Sequence, residues 1–364
     1  MNGILICSGT GVVKNIGDYI QSVAQEQFWK HVDCFVEREN LNTFTAPERV
    51  NVIMNAWFMW KPENFPPSSV INPLFISFHV VPKIASKMLT EQSIEYLKKY
   101  EPIGARDIGT MEILRSKGIN SYFSGCLTLT LGKNYKTEKK DDKIYFVDPY
   151  YELGDSHNKS RWIRHLKAWW FCVKYWKKVS KFISGFACEF SSIYRRIPSL
   201  DKRLMASSFY HAYSTLFSDD ILFSATYINH CVEQSDYPTD EIKMEYAKSL
   251  IKKYASAKLV VTSRIHCGLP CLGVETPVIF VTSEALNGDT VRSSGRFGGL
   301  IDLFHVAEWT ANGVQAISSE LKSFVNGKKI QQDFLLENLD NYKVLRDNLI
   351  SAVERWQKKL FGKT

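Results

Sequence analysis

An α/β fold with two Rossmann-like domains facing a cleft is the architecture this 364-residue chain predicts, on three observations. Short apolar runs alternate with helical patterns along the chain, the mark of strands interleaved with helices. A polar stretch rich in Lys and Asp, from Gly132 to Lys143, breaks that rhythm once, after which it restarts. Glycines, arginines and histidines stand just after the apolar runs, where open parallel sheets bind their ligands. The length itself fits two domains of roughly 150 residues each.

Taken in order, Gly3 to Cys7 reads as the first buried strand, followed by a Gly-rich turn and a helix from about Asp18 to Trp29. Val52 to Trp57 and Leu74 to Phe78 read as further strands. Ile103 to Arg106 is another, and Asp107 can cap the helix that continues to about Lys117. Ser121 to Ser124 runs as a strand into Gly125-Cys-Leu-Thr-Leu-Thr130. After the linker the strands are Ile144 to Val147, Ile221 to Thr226, Leu259 to Thr262 and Pro277 to Val281, with helices over 200–217, 239–255 and 266–273. A last amphipathic pattern spans about 333–360. The domains are accordingly 1–135, 143–330 with a basic amphipathic insert at about 159–185, and 331–364, a terminal helix that can pack back on the first domain.

Composition narrows the class. A hydrophobic content of 45% excludes wholesale disorder. The formal charge is +8, but from Ser156 to Cys188 there is no acid, while Lys159, Arg161, Arg164, Lys167, Lys174, Lys177, Lys178 and Lys181 all fall there. Outside that segment the bases and acids balance, so no diffuse nucleic-acid surface is expected. Within it, Trp162, Leu166, Trp169, Trp170, Val173, Trp176, Val179 and Ile183 recur at helical spacing as one apolar stripe. Two readings stay open: an interfacial helix on an anionic membrane, or a helix that packs within the domain. The amino terminus lacks a basic segment followed by an apolar run, and no stretch of about 18 apolar residues occurs, so a cytoplasmic protein without a spanning helix is expected. The cysteines contain no C-x-x-C pair; reduced thiols and no metal site are expected.

Four strand-end segments carry chemistry. Gly9-Thr-Gly11 with Asn15-Ile-Gly17-Asp18 offers an anion-tolerant helix start, or simply an N-cap. Gly104-Ala-Arg106-Asp107 with Thr110 presents an arginine suited to a carboxylate or phosphate, or an Arg–Asp pair. Ser124 to Thr130 offers hydroxyls, Ser124 and Thr128 among them. Ser263-Arg264-Ile-His266, leading to Gly273 and Pro277, puts an arginine and a histidine at the turn between a buried strand and a helix. His79 and His230 are either acceptor-side residues or strand-end residues satisfied by backbone. Arg292 and Arg296 close over a phosphate or sit in a solvated loop.

In the order and spacing of these segments, together with Asn55-Ala-Trp-Phe-Met-Trp60 and Ser77-Phe-His79, the chain resembles the polysaccharide pyruvyl transferase family, in the branch of bacterial capsule and exopolysaccharide enzymes. The resemblance covers about residues 3 to 281. It implies a fold similar to that of GT-B glycosyltransferases, a phosphoenolpyruvate donor as co-substrate with no cofactor, and pyruvate attached to a sugar as a ketal. It assigns Arg106, Arg264 and His266 to the donor, and His266 suits a general acid because a histidine can be protonated near neutral pH. Asp18 is the candidate base, and Asn15, Gly17, His79, Ser124, Thr128 and His230 are acceptor-side or supporting residues. By analogy with capsule assembly the acceptor is a hexose on a polyprenyl diphosphate carrier, galactose being one choice, and the enzyme works at the inner face of the cytoplasmic membrane. A nucleotide-sugar glycosyltransferase and a non-catalytic glycan-assembly protein are the rival classes, since fold alone does not choose chemistry.

Overall fold

The computed structural model describes residues 1–8, 13–151, 161–188, 199–283 and 297–362. It is an α/β structure around two main sheets. The amino-terminal sheet has four parallel strands in the spatial order Cys34–Glu37, Asn2–Ile6, Val50–Ile53, Ile71–Leu74. Backbone bonds from Gly104 N to Phe75 O (3.0 Å) and from Phe78 N to Gly104 O (2.9 Å) continue it toward the parallel pair Ile103–Ala105 and Ser121–Phe123. The second sheet has six strands, ordered Thr226–Ile228, Ile144–Val147, Leu259–Thr262, Val278–Ser283, His305–Thr310, Gly313–Ala316, all parallel except the last. Its central strands are buried along their whole length, which is why they read as unbroken apolar runs rather than alternating ones.

Each sheet contains a reversal of strand order. Asn2–Ile6 lies between Cys34–Glu37 and Val50–Ile53, and Ile144–Val147 lies between Thr226–Ile228 and Leu259–Thr262. Beside such a reversal the loops leave in opposite directions and open a crevice beyond the carboxyl ends of the strands. The two sheets share a core. The helix Ile16–Glu26 packs on Asp240–Ser256, and one cluster joins Ile16, Tyr19 and Val23 to Leu127, Leu129, Ile251, Tyr254, Leu269 and Leu272. Tyr19 Oη donates to Asp240 Oδ1 at 2.6 Å across this contact. The terminal helix Asn341–Phe361 lies against the amino-terminal part, with Trp356 edge-on to Trp29 at 5.8 Å and Gln357 bonded to the Phe28 carbonyl.

Several boundaries differ from those expected. Ile221 to Thr226 is not a strand: Asp219–Ser224 is a helix, with Asp219 and Asp220 complementing its first turn, and the strand is Thr226–Ile228. The strand expected over Leu74 to Phe78 lies earlier, as Ile71–Leu74, the fourth strand of the first sheet, and Ser77 turns the chain at φ 54°. The expected linker begins as a short helix, Gly132–Tyr135, whose glycine is pressed on the Gly273 carbonyl, where a Cβ would come within 2.2 Å. The tryptophan-rich helix, Arg161–Val179, forms, yet its residues do not share one environment: Val179 is buried, whereas Leu166, Trp169, Trp170, Val173 and Trp176 are exposed.

Candidate active site

The chemistry-bearing residues stand at the carboxyl ends of strands from both sheets. On the second sheet, Asp148 follows Ile144–Val147, His230 follows Thr226–Ile228, and Arg264 follows Leu259–Thr262, so three neighbouring strands supply one cluster. Arg264 Nε donates to Asp148 Oδ2 at 2.9 Å, and the His230 backbone N donates to the same oxygen at 3.1 Å. Asp148 reaches this position with φ 41°. The turn beneath is fastened by Thr262 Oγ1, which donates to the Val147 carbonyl at 2.7 Å and accepts from Arg264 N at 3.0 Å. Arg264 keeps 44% of its side chain exposed. The His230 ring is buried against Tyr254 Oη at 2.6 Å; burial, reinforced by the Arg264 charge, drops its pKa to about 3, leaving it neutral at ordinary pH.

The helix Ile265–Gly273 starts at Arg264 as N-cap, and His266 interrupts its first turn at φ −83°, ψ 15°. That kink aims the His266 side chain at the start of the first helix. A Cβ on Gly17 would stand 3.1 Å from His266 Cβ and 3.4 Å from its Nδ1. Asn15 caps the same helix, its Oδ1 accepting from Gly17 N at 3.1 Å, and Ile16 N donates to the His230 carbonyl at 2.8 Å. The short strand Val13–Asn15 pairs antiparallel with Cys231–Glu233, which locks the two halves in register at this point. The sequence motifs around Asn15 and His266, about 250 residues apart in the chain, are thus in contact.

Half-buried Asp18 is one residue further along. Burial pushes its carboxyl above the usual range, against the pull of the Arg38 and Arg106 guanidinium groups, while Glu39 adds to the rise. Arg38 and Asp148 are the residues the sequence reading missed. Arg38, almost wholly buried at the end of Cys34–Glu37, bonds Glu39 Oε1 through Nε (2.9 Å) and Cys7 Sγ through Nη2 (2.7 Å), and lies 4.2 Å over the Trp57 ring. Together with Asp18, Gln21, Ser22, Gln25 and Cys7 it lines a small cavity at the strand reversal. Among the described residues its Nη1 has no partner. The Cys231 thiol, raised by burial, feels Arg264, Asp148 and Asp18 together, so the acidic and basic residues of both sheets belong to one electrostatic neighbourhood.

Arg106 is buried at the end of Ile103–Ala105, with Nε 3.3 Å from Asp107 Oδ2. Asp107 also caps the helix Ile108–Ser116 by accepting from Thr110 N at 2.9 Å, as the sequence predicted. His79 Nδ1 lies 2.6 Å from Asp107 Oδ2 and 3.0 Å from Thr110 Oγ1. Burial alone would raise the Asp107 carboxyl; the His79 ring and Arg106 outweigh it and hold the pKa at about 2. His79 is therefore joined to the Arg106 segment rather than to Asp18. Ser124 and Thr128 use their hydroxyls internally: Ser124 Oγ accepts from Ser77 N at 3.1 Å and lies 3.0 Å from the Ala105 carbonyl, and Thr128 Oγ1 donates to Cys126 Sγ at 3.2 Å. The turn Leu127–Leu131 packs backbone-to-backbone on the helix Ile265–Gly273, since a Cβ on Gly273 would meet the carbonyls of Leu129 and Thr128 at 2.7 and 2.8 Å. Gly9, Gly11, Arg292 and Arg296 lie outside the described residues. Among the described residues no group of three or more His, Cys, Asp or Glu is arranged to hold a metal.

Arg106 and Arg264 at strand ends, His266 against Gly17 and the Asp18 carboxyl of raised pKa are the chemistry-bearing residues that the fold gathers at its strand ends. A family model described as polysaccharide pyruvyl transferase matches residues 76–284, more than half of the chain, and the chain belongs to that family. No curated protein and no solved structure matches it. The matched span contains Arg106, His230, Arg264 and His266; Asn15, Gly17, Asp18 and Arg38 precede it.

Proposed function

We propose that the protein transfers pyruvate from phosphoenolpyruvate to a hexose, galactose being one choice, of a lipid-linked surface-polysaccharide precursor, as a cyclic ketal, with release of phosphate. Two hydroxyls of the sugar add to C2 of the donor; one of their protons goes to the methylene carbon, making it a methyl, and the other leaves with the phosphate. On this reading residues 1–135 and 143–330 are two Rossmann-like domains in an arrangement similar to GT-B enzymes, with the reaction between them.

The observation that carries the reading is the contact of His266 with Gly17, which joins a protonatable ring beside Arg264 to the helix start that bears Asp18. Arg106 and Arg264 suit the carboxylate and phosphate of the donor, because a guanidinium pairs bidentately with either. His266 serves as the acid that protonates the methylene carbon. Asp18 serves as the base toward a sugar hydroxyl, and its raised pKa moves it closer to the working pH than an exposed aspartate. Arg38 compensates that carboxylate from the other side. His230, neutral and bonded to Tyr254, supports the Arg264 turn without adding charge.

The test is incubation of the purified enzyme with phosphoenolpyruvate and lipid-linked acceptors of defined sugar composition. Phosphate release that depends on the acceptor, with a product whose mass rises by one pyruvate less water, is expected. Glycosyl transfer from a nucleotide sugar, with no phosphate from phosphoenolpyruvate on any acceptor, overturns the reading.

A further inference from the structure

The helix Arg161–Val179 lies in an outer layer. It packs on the helix Ser199–Tyr213, which in turn sets Phe209 and Tyr213 against Phe146 of the six-stranded sheet. Its inward arc is already complete. Ala168 and Cys172 meet Leu204, the Phe171 ring stacks on His211 at 3.8 Å, Tyr175 lies against Tyr210, and Val179 is in the core. Trp169 and Trp170 take no part in that contact, and Trp176 touches it only at its margin, beneath Arg203. They lie on the opposite arc with Leu166 and Val173, where Trp170 is 57% and Val173 75% exposed. Apart from Arg203 at the Trp176 margin, this arc is about half exposed or more, and large apolar residues gathered on a surface mark a site of association.

The charge around the arc names the partner. Lys167, Lys174, Lys177 and Lys181 are exposed on the same helix or just beyond its end, and 161–188 contains no acid. Lys174 Nζ lies 4.7 Å from the Trp170 ring, and Arg203 of the neighbouring helix lies 3.8 Å over Trp176. Lys178 is turned away to Asp219. A solvated face would carry the lysines without the tryptophans. A protein interface favours tryptophan but is depleted in lysine. An anionic bilayer selects both, since indole rings sit at headgroup depth while ammonium groups reach lipid phosphates. We propose that this face docks the enzyme on an anionic phospholipid surface, with Leu166, Trp169, Trp170, Val173 and Trp176 entering the headgroup boundary and the lysines on its phosphates. The helix lies on the interface and does not cross it; among the described residues no helix is long and apolar enough to span. The docking uses none of the residues assigned to catalysis, so it stands or falls apart from the proposed reaction.

Flotation of the full-length protein with vesicles tests it. The protein is expected to float with vesicles of equal phosphatidylglycerol and phosphatidylcholine, far less with phosphatidylcholine alone, and to be released by salt. Trp169→Ser, Trp170→Ser and Trp176→Ser combined should abolish flotation while leaving the melting temperature in place, because these side chains point outward. Should that variant misfold, Lys167→Glu, Lys174→Glu, Lys177→Glu and Lys181→Glu decide the matter, with partitioning expected to fall on the order of 100-fold. A wild-type protein that stays with the soluble fraction, variants that float as it does, or a wild-type dimer that the tryptophan variant dissociates would each overturn the proposal, the last by assigning the face to a second copy of the chain.

Discussion

Two arginines at strand ends, each paired with an aspartate through Nε, frame the candidate site in opposite ways. Arg106 is 3% exposed, 3.3 Å from Asp107, and its partner is shared with His79 and the start of a helix. Arg264 is 44% exposed, 2.9 Å from Asp148, and its backbone rather than its side chain holds the turn. The same residue type is thus a fixed, buried charge in one segment and an accessible one in the other. A buried ion pair embedded in further hydrogen bonds loses several kcal/mol when one member is removed, whereas an exposed pair contributes little to folding. Sequence cannot separate these cases, since Gly-x-Arg and Arg-x-His look equally functional; burial does.

Replacing each arginine by alanine is the sharpest way to break the comparison. Arg264→Ala should keep the melting curve within about 1 kcal/mol of wild type, as the guanidinium is 44% exposed and Asp148 keeps its bond from the His230 backbone N. It should lower kcat/KM by about 100-fold or more, the loss expected for a charge-assisted contact to an anionic substrate worth about 3 kcal/mol. Arg106→Ala should lose activity and about 3 kcal/mol of stability together, because Asp107 keeps its burial but loses a cation. Equal destabilisation in denaturant titrations of the two variants would erase the distinction.

Asp107 carries the next effect. Its pKa, about 2 in the folded protein against 3.8 in the unfolded chain, makes the ionised form a stabilising one. For a carboxylate depressed on folding, that stability is complete above pH ~4 and is lost as pH falls through the folded value, here about 2. On the order of 2 kcal/mol should therefore disappear between these limits. Asp107→Asn should be less stable than wild type at neutral pH and should lack most of this acid-dependent component. Thermal melts from pH 5 downward measure it, and parallel wild-type and variant curves would count against the His79–Asp107–Arg106 unit.

Where periodicity and capping act locally, the sequence was legible. Ile103–Ala105, the Asp107 cap, Leu259–Thr262 and the helix from Asp240 follow from apolar runs and their punctuation. Asp219–Ser224 was misread because Ile-Leu-Phe serves equally in one helical turn or a short strand; the two acids before it were the missed signal. Arg38 went unseen because its strand, Cys34–Glu37, is short and bounded by acids, and Asp148 because an aspartate after a strand is commonplace until the strand order places it beside Arg264. Ser124 and Thr128 looked like ligand hydroxyls, but the tight turn that their small neighbours form directs them inward. The contact of Gly17 with His266 depends on strand pairing between distant segments, which composition and spacing do not encode.

Asp18 extends the comparison to the base. Its carboxyl is raised by burial, so the acid limb of the kcat/KM profile should lie above the pH at which an exposed aspartate titrates. Asp18→Asn should remove that limb and slow turnover by about 100-fold, the smaller end of general-base contributions. A variant with the wild-type acid limb would assign the titration to another group.

The smallest effect concerns the join between the two sides. At Gly273 an added methyl would press on backbone carbonyls at 2.7 and 2.8 Å, so alanine there should cost about 2 kcal/mol through a forced shift of packed elements. At Gly17 it would approach Asn15 Oδ1 and His266 Cβ, both at 3.1 Å, a crowding that side chains relieve by a few tenths of an ångström. Gly17→Ala should accordingly fold nearly as well as wild type while displacing the His266 ring. Misplacement of a reacting group by about 1 Å can cost on the order of 100-fold, so a shift of tenths should lower kcat several-fold. Because His266 is assigned to proton transfer and Arg264 to the donor charge, KM for the donor should change less than kcat. A Gly17→Ala enzyme with unaltered kcat and a raised donor KM would move His266 from proton transfer to donor binding, leaving the crevice but reassigning its acid.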